Sequence, residues 1–285
     1  MRHTLLSKHA NVWGEQLLIG FDTECFNHAM ALRDAGKVEQ ALQELAALAE
    51  ATPDPEAKAT LLGNQSTCLM ILGRLEEARE RITEALQIAP RTQVLLYLWE
   101  EDASLYWHEG QREKALEILE RLHVEHGELL LAAEHRDLAD RIRSARGMLL
   151  AELGRYQEAL PLLEQSLNSE SAAIDNEGLL RELGLSYLQL GRRTDARRVL
   201  ERLLREGTRT DLVADAHLYL GDVYFHQRAY AKAMTEFEWC LAHAGEHKIP
   251  TPYLYKWLAV TARALGMKED AERYDEFAKG ETAGG

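Results

Sequence analysis

The stretch Gly73-Arg-Leu-Glu-Glu-Ala78, followed by Ile82, recurs along the chain and decides its fold. An alanine follows the glycine after four intervening residues, and an apolar residue follows the alanine after three more. The pattern occupies 36–45, 73–82, 110–119, 154–163, 191–200, 228–237 and 266–275, with Arg228 replacing the glycine once and Asp275 replacing the apolar residue once. Its alanines are mostly 37 residues apart, with one interval of 44. Such regularity indicates repetition of one supersecondary unit.

A second set of small residues precedes each glycine position by seven residues. Its members are Ala29, Ser66, Ala103, Gly147, Gly184, Gly221 and Ala259. We expect a helical hairpin in each repeat, because a glycine ends a helix in the left-handed conformation at little cost. The small residue then allows the second helix to approach the first. Since one hairpin cannot bury both of its faces, stacked neighbours are expected to complete the core.

These positions resemble the consensus of the tetratricopeptide repeat (TPR) family, over roughly residues 22 to 285. The resemblance implies an all-α fold, a right-handed superhelical solenoid of about seven TPR-like helix-turn-helix repeats. The common interval of 37 residues exceeds the family's repeat of about 34, which predicts slightly longer helices or loops. We interpret the 44-residue interval as one unusually long helix from Glu128 to Leu153.

The repeat pattern also divides the chain. We predict a capping helix or extension over 1–21, a continuous solenoid over 22–279 and a disordered tail over 280–285. Within the solenoid, the repeats are expected at approximately 22–55, 59–92, 96–129, 140–173, 177–210, 214–247 and 252–279.

Charge and cysteine content limit the classes of partner. The chain has 33 Lys and Arg against 47 Asp and Glu, a formal charge of −14. This charge repels phosphate groups, so neither nucleic acid nor an anionic membrane is expected as a partner. No apolar run approaches the length of a membrane span. Three widely spaced cysteines without a CxxC pair predict reduced thiols and a cytoplasmic location.

No pattern predicts catalysis, a metal site or a cofactor. His123 and His126, and likewise His243 and His247, have helical spacing but lack further ligands nearby. Cys25 is expected to be a small buried side chain. We therefore expect that the protein is not an enzyme.

The candidate binding surface is the stripe of each first helix opposite the small residues, at helical spacing. In the TPR family this stripe lines a concave peptide groove. The candidate residues are Tyr97, Trp107, His108, Tyr219, Asp222, Phe225, His226, Tyr253, Lys256 and Trp257, and Glu100, Glu101, Arg141 and Arg181 fall on the same stripe. The main patch is predicted around the late aromatic residues, with His226 and Lys256 as polar orienting groups. The alternative is that the longer period rotates the stripe and buries these rings between repeats.

The resemblance predicts a non-enzymatic interaction scaffold that binds an unidentified protein or peptide in the groove. The alternative is a regulatory sensor or adaptor that controls a partner through the curvature of the solenoid. The last helix carries Tyr274 and Phe277, and no solvating helix follows it before the glycine-rich tail. This feature predicts self-association or partner packing at the C-terminal helix.

Overall fold

The protein, in a computed structural model, is all-α throughout the part that the structure describes, residues 22–89, 92–132, 135–169 and 174–280. In these ranges the chain forms fourteen helices and no strand. They are α1 (Thr23–Asp34), α2 (Val38–Ala51), α3 (Pro55–Ile71), α4 (Leu75–Ile88), α5 (Thr92–His108), α6 (Arg112–Leu130), α7 (Arg136–Glu152), α8 (Tyr156–Leu167), α9 (Asn176–Gln189), α10 (Arg193–Glu206), α11 (Thr210–His226), α12 (Tyr230–Ala242), α13 (Thr251–Leu265) and α14 (Lys268–Gly280).

The helices form two compact units. Of the described residues, unit 1 comprises those within 22–154 and 168–175, and unit 2 those within 155–167 and 176–280. In unit 1, α1 packs on α2, α3 on α4 and α5 on α6, while α3 also contacts α5. In unit 2, α9 packs on α10, α11 on α12 and α13 on α14, while α9 also contacts α11. Repeated hairpins with contacts between successive first helices confirm the predicted all-α repeat fold of the solenoid class.

The turn inside each hairpin has the predicted left-handed residue. Gly73 has a φ of 75°, and the equivalent glycines of five other hairpins lie between 74° and 81°. The next residue donates its N–H back to the first helix, as from Arg74 N to Leu69 O at 2.9 Å. This bond satisfies a carbonyl that the helix end leaves without a partner, which is the Schellman arrangement. The glycine pattern is thus explained by backbone geometry.

Arg228 occupies the glycine position of the α11/α12 hairpin and still adopts a φ of 60°. The turn is otherwise unchanged, since Ala229 N donates to Tyr224 O at 2.9 Å. A side chain in this region costs about 1 kcal/mol or more relative to glycine. We therefore expect Arg228→Gly to raise the free energy of unfolding by about 1 kcal/mol, measured by urea denaturation. The reverse change at the equivalent site, Gly191→Arg, should lower it by a similar amount, and equal stability of all three proteins would contradict this account.

The small residues lie at the contact between the two helices of a hairpin. A Cβ atom built on Gly184 would lie 2.5 Å from Leu200 Cδ2, and one on Gly221 would lie 2.4 Å from Phe237 Cε1. Ala29 is fully buried in a core cluster with Leu45, its counterpart in the first repeat. The predicted register of the hairpins is therefore confirmed at these positions.

The prediction of one long helix from Glu128 to Leu153 is wrong. Helix α6 ends at Leu130, a turn follows, and α7 begins at Arg136. Because α6 and α7 pack against each other as neighbours, the chain must reverse between them. The extra residues of the 44-residue interval are instead divided between two helices. Helix α6 has 19 residues where α4 has 14, and α7 begins about one turn before the expected repeat start at residue 140.

The longer period has a similar cause. Helices α3, α5 and α11 have 17 residues each and begin four residues before the predicted repeat starts at 59, 96 and 214. About one additional helical turn therefore accounts for the extra residues in those repeats. Residues 1–21 and 281–285 lie outside the described residues. Of the predicted tail only Gly280 is described, and it is the last residue of α14.

Candidate functional site

A buried ion pair joins two first helices of unit 1. Arg141 on α7 donates through Nε to Glu100 Oε1 on α5 at 3.4 Å and through Nη2 to Glu100 Oε2. The two residues are only 4% and 8% exposed, and Arg141 Nη1 has no hydrogen-bond partner among the described residues. Both residues belong to the stripe predicted from helical spacing, so that stripe does bring residues of successive repeats together here.

Glu101, beside this pair, is a buried carboxyl with an unusual proton affinity. It accepts a hydrogen bond from Thr67 Oγ1 at 3.0 Å. Burial, followed by repulsion from Glu100, raises the pKa of Glu101 to about 7, against the opposing attraction of Arg141. The pKa is raised because burial makes the charged form of a carboxyl group costly.

The raised pKa of Glu101 predicts a stability that falls as the pH rises. The folded protein keeps the proton up to about pH 7, whereas the unfolded chain releases it near the ordinary value, so stability is lost between about pH 4.5 and pH 7. The loss should approach about 3 kcal/mol. We expect Glu101→Gln, which cannot titrate, to flatten this dependence when urea denaturation is repeated across that pH range. Parallel pH profiles of the two proteins would show that Glu101 does not titrate there.

A small pocket, with a cavity volume of about 40 Å³, lies against the Arg141–Glu100 pair. It is contained in unit 1 and is lined by Glu100, Ala103, Ser104, Trp107, Leu119, Arg141, Ser144, Ala145, Met148, Ile174 and Asp175. Trp107 donates its indole N–H to Glu152 Oε2 at 3.2 Å, and Glu152 also binds Arg112, so the indole is fixed. The lining combines apolar side chains with the carboxyl groups of Glu100 and Asp175, the guanidinium of Arg141 and two serine hydroxyls.

Sequence spacing identified only part of this pocket. Trp107, Glu100 and Arg141 were among the residues named for the predicted stripe. Ser104, Ser144 and Met148 lie on the same stripe by their spacing but were not named as candidates. Ile174 and Asp175 come from the segment before α9, which has no position in the repeat pattern and therefore gave no signal.

Tyr97 and His108 do not line the pocket. Tyr97 is 4% exposed, and its ring meets His135 edge-on with centroids 6.0 Å apart. The expectation that Tyr97 faces an open groove is therefore wrong, because the side chain is buried and meets His135, the residue before α7. His108 is partly buried at the end of α5.

In unit 2, an aromatic cluster joins the first helices α11 and α13. Phe225 meets Trp257 edge-on, with ring centroids 5.6 Å apart, and Tyr253 meets Trp257 at 6.5 Å. Trp257 also stacks on Phe237 of α12 at 5.1 Å, and Phe237 is fully buried. Tyr253 is 46% exposed. The cluster is therefore buried at Phe237 and accessible at Tyr253. It combines the two interpretations that the sequence left open, an exposed binding surface and rings buried between repeats.

The polar candidates surround this cluster. His226 Nε2 lies 3.1 Å from Asp222 Oδ1, and its ring meets Phe225 edge-on at 5.8 Å. Burial raises the pKa of Asp222, and His226 opposes that effect. Lys256 is exposed on α13, one residue before Trp257.

Tyr219 belongs to a different group of residues. Among the described residues, it has no ring contact with the aromatic cluster. The charged groups of Asp215 and Arg181 act on it instead, and Arg181 Nε donates to Asp215 Oδ2 at 2.8 Å. Burial, followed by Asp215, raises the pKa of the Tyr219 phenol. Its predicted place in one patch with Phe225, Tyr253 and Trp257 is therefore wrong, because Tyr219 lies six residues before Phe225 on α11 and faces the Arg181 side.

The comparisons with known proteins agree with this architecture. A sequence profile described as tetratricopeptide repeat matches residues 26–91 and 181–238, and a second profile of the same description matches residues 141–165. Together they cover just over half of the chain. The chain belongs to the tetratricopeptide repeat family. No curated relative matches the sequence.

Several solved structures of other proteins have a similar fold. A tetratricopeptide repeat protein from Parabacteroides merdae is 24% identical with a TM-score of 0.53, over 90% of this chain and 92% of that one. PilF of Pseudomonas aeruginosa is 17% identical with a TM-score of 0.60, over 80% and 94%. PilW, a type IV pilus biogenesis factor, is 15% identical with a TM-score of 0.61, over the same shares. At these identities the likeness concerns the fold alone.

The remaining candidate histidines and thiols of this TPR protein have local structural contacts. His247 Nε2 lies 2.7 Å from Cys240 O, and His243 Nδ1 lies 2.9 Å from Trp239 O. His126 stacks on Trp99 at 5.4 Å. Cys25 is exposed at the start of α1, where its thiol donates to Asp22, so its predicted burial is wrong. Within the described ranges, no cluster of three metal-ligating side chains occurs and no helix is long and apolar enough to cross a membrane.

The last TPR hairpin packs its C-terminal aromatic residues internally. Tyr255 on α13 stacks with Tyr274 at 6.2 Å and meets Phe277 at 5.2 Å. Phe277 nevertheless remains 46% exposed. Asp275, where the repeat pattern expects an apolar residue, is paired with Arg263. Self-association through Tyr274 and Phe277 stays a prediction.

Proposed function

We propose that this TPR protein is a non-enzymatic scaffold that binds a protein or peptide partner through the aromatic cluster of α11 and α13. The observation that supports the proposal is the continuous contact from Phe225 through Trp257 to the exposed ring of Tyr253. TPR repeats are generally protein interaction modules, and Tyr and Trp are enriched among the residues that dominate binding energy.

The packing of this cluster favours binding. Trp257 is fixed on one side by stacking on buried Phe237 and on another by Phe225. A side chain that is already ordered loses little conformational entropy when a partner binds. Lys256 and the Asp222–His226 pair add polar groups around the apolar centre, which is the usual composition of an interface.

The test uses Tyr253→Ala, because an exposed ring can be removed with little effect on folding. The wild-type protein is used to isolate a partner, and the affinity of the purified partner is then measured by calorimetry. We expect Tyr253→Ala to weaken binding by about 2 kcal/mol, roughly 30-fold, with an unchanged melting temperature.

Arg198→Ala is the matched control, since the Arg198 side chain is 74% exposed on α10, a second helix that lies outside the proposed surface. We expect it to bind the partner like wild type. If Tyr253→Ala binds as tightly as Arg198→Ala, the aromatic cluster is not the binding surface.

A further inference from the structure

Helices α6 and α7 of unit 1 form a surface that combines exposed apolar side chains with arginines. We propose that this surface binds an acidic, partly apolar segment of a protein partner. The α6–α7 surface consists of Val124, Gly127, Leu131, Arg143 and Arg146. All five residues belong to unit 1. The surface is therefore a second binding site, and it does not depend on the site proposed for unit 2.

Three residues at the end of α6 form an open stripe. Val124, Gly127 and Leu131 follow one another at spacings of three and four residues, which places them on one face of the helix. Val124 and Leu131 are 80% and 85% exposed. An added Cβ on Gly127 would meet no atom of the described residues within 4 Å beyond its own stretch of helix. A partner can therefore approach the backbone closely between two apolar side chains.

The two arginines lack acceptors for part of their guanidinium groups. The Nε atoms of Arg143 and Arg146 are buried, and neither has a hydrogen-bond partner in the described part of the chain. Arg143 is paired through Nη2 with Asp140, which also accepts a hydrogen bond from Ser169 Oγ at 2.5 Å. Arg146 is half-buried and forms no ion pair with any described residue. A partner carboxylate can bind the outer nitrogens of a guanidinium group and so compensate a charge that the fold leaves unpaired.

Nearby charges compensate the arginines only in part. Burial lowers the pKa of Arg146, and the attraction of Glu120 opposes this effect without cancelling it. Burial likewise lowers the pKa of Arg143. A lowered arginine pKa means that the folded protein holds the positive charge at a cost in free energy. Because a carboxylate beside such a charge reduces that cost, the surface favours an acidic partner.

The arginines lie beside the apolar stripe, since α7 packs on α6. Glu120, whose charge acts on Arg146, lies four residues before Val124 on α6. His123, on which both arginines act, lies four residues before Gly127. Residues four apart are neighbours on a helix surface. One partner segment can therefore contact the apolar and the basic part of the surface together.

The sequence of α7 departs from the other repeats at the two arginines. One repeat interval of 37 residues later, α9 has Leu180 and Leu183, which are 1% and 2% exposed. Arginine at the equivalent positions, 143 and 146, forgoes this hydrophobic burial. Such departures from a local rule are expected at functional sites.

The charge of the whole chain has little influence at close range. The net charge of −14 repels an acidic segment from a distance, but at physiological ionic strength the screening length is only about 8 Å. An ion pair with Arg146 is much shorter than that length. A neutral apolar segment would cover Val124 and Leu131 without reaching the charges, and a basic segment would be repelled by the arginines.

Three peptides of equal length, each acetylated and amidated, test the proposal with the full chain. The acidic peptide has leucines and glutamates on one helical face of an alanine background. The second has glutamine in place of each glutamate, and the third has alanine in place of each leucine. By calorimetry we expect the acidic peptide to bind with a Kd of about 100 μM or tighter. The glutamine peptide should bind at least about tenfold more weakly, and the leucine-free peptide at least about fivefold more weakly.

Two variants locate the binding. Arg146→Gln removes the charge and keeps a polar side chain, and we expect it to weaken the acidic peptide at least about fivefold with little effect on the glutamine peptide. Val124→Ser changes an exposed side chain and should weaken the acidic peptide at least about threefold. Circular dichroism and thermal melting confirm that each variant is folded.

Arg198→Gln is the matched control, because Arg198 is an exposed arginine of unit 2. It should bind the acidic peptide like wild type, and so should Tyr253→Ala. The proposal is overturned if the acidic peptide does not bind, if the acidic and glutamine peptides bind equally, or if both surface variants bind like wild type.

Light scattering tests whether a second copy of the chain occupies the surface instead. A wild-type dimer that Val124→Ser dissociates would overturn the assignment to an acidic partner, whereas a monomer agrees with it. These outcomes concern only unit 1. Failure of the proposed function would instead appear as unchanged partner binding in Tyr253→Ala.

Discussion

Replacing Arg141 with alanine is expected to lower the free energy of unfolding by about 3–5 kcal/mol at neutral pH. The change leaves the Glu100 carboxylate buried at 8% exposure without its ion-pair partner, next to the carboxyl group of Glu101. The loss of a buried partner is costly because the remaining charge is neither hydrated nor paired. Urea denaturation followed by circular dichroism measures the effect.

A double variant separates this explanation from a simple loss of packing. Replacing both members, as in Glu100→Met with Arg141→Met, removes the charge together with its partner, and such replacements are often neutral or stabilising. We therefore expect the double variant to be more stable than Arg141→Ala. A double variant as unstable as the single one would show that packing volume, and not the unpaired charge, determines the loss.

The repeat pattern allowed the hairpins to be predicted because each of its positions has a direct backbone or steric cause. A glycine such as Gly73 is favoured where φ is positive, and a small residue such as Gly221 is favoured where two helices come closest. These preferences are local, and they recur along the chain, with Arg228 as the exception at the glycine position. The spacing of these glycines and small residues is therefore sufficient to predict the helical hairpins and the face that each helix buries.

Other features depend on contacts that a repeat pattern does not encode. The 44-residue interval is compatible either with one longer helix or with a turn, and only the packing of α6 on α7 decides for the turn. Tyr219 and Phe225 are on the same predicted stripe, yet Arg181 and Asp215 give Tyr219 a polar environment. The pocket could be predicted only in part, because Asp175 comes from a segment between two of the predicted repeats, where the repeat pattern names no position.

The contact between Gly221 and Phe237 gives the last prediction. A Cβ atom at residue 221 would lie 2.4, 2.7 and 2.8 Å from three atoms of the Phe237 ring. Because that ring is fully buried and stacked against Trp257, it has no free space to move into. We expect Gly221→Ala to lower the free energy of unfolding by about 1–3 kcal/mol, although alanine is normally the better helix former by about 1 kcal/mol.

Two further variants make this test specific. An added Cβ on Gly127, inside α6, would meet no atom of the described residues within 4 Å apart from its own stretch of helix, so Gly127→Ala should stabilise the protein by up to about 1 kcal/mol. In a Phe237→Leu background the methyl group of Gly221→Ala has more room, as in the first repeat, where Ala29 and Leu45 occupy the same two positions and are both fully buried. The loss caused by Gly221→Ala should therefore shrink by at least about 1 kcal/mol in that background, a coupling that a double-mutant cycle measures. Equal losses in the two backgrounds would mean that the Phe237 ring is not the reason why residue 221 is glycine.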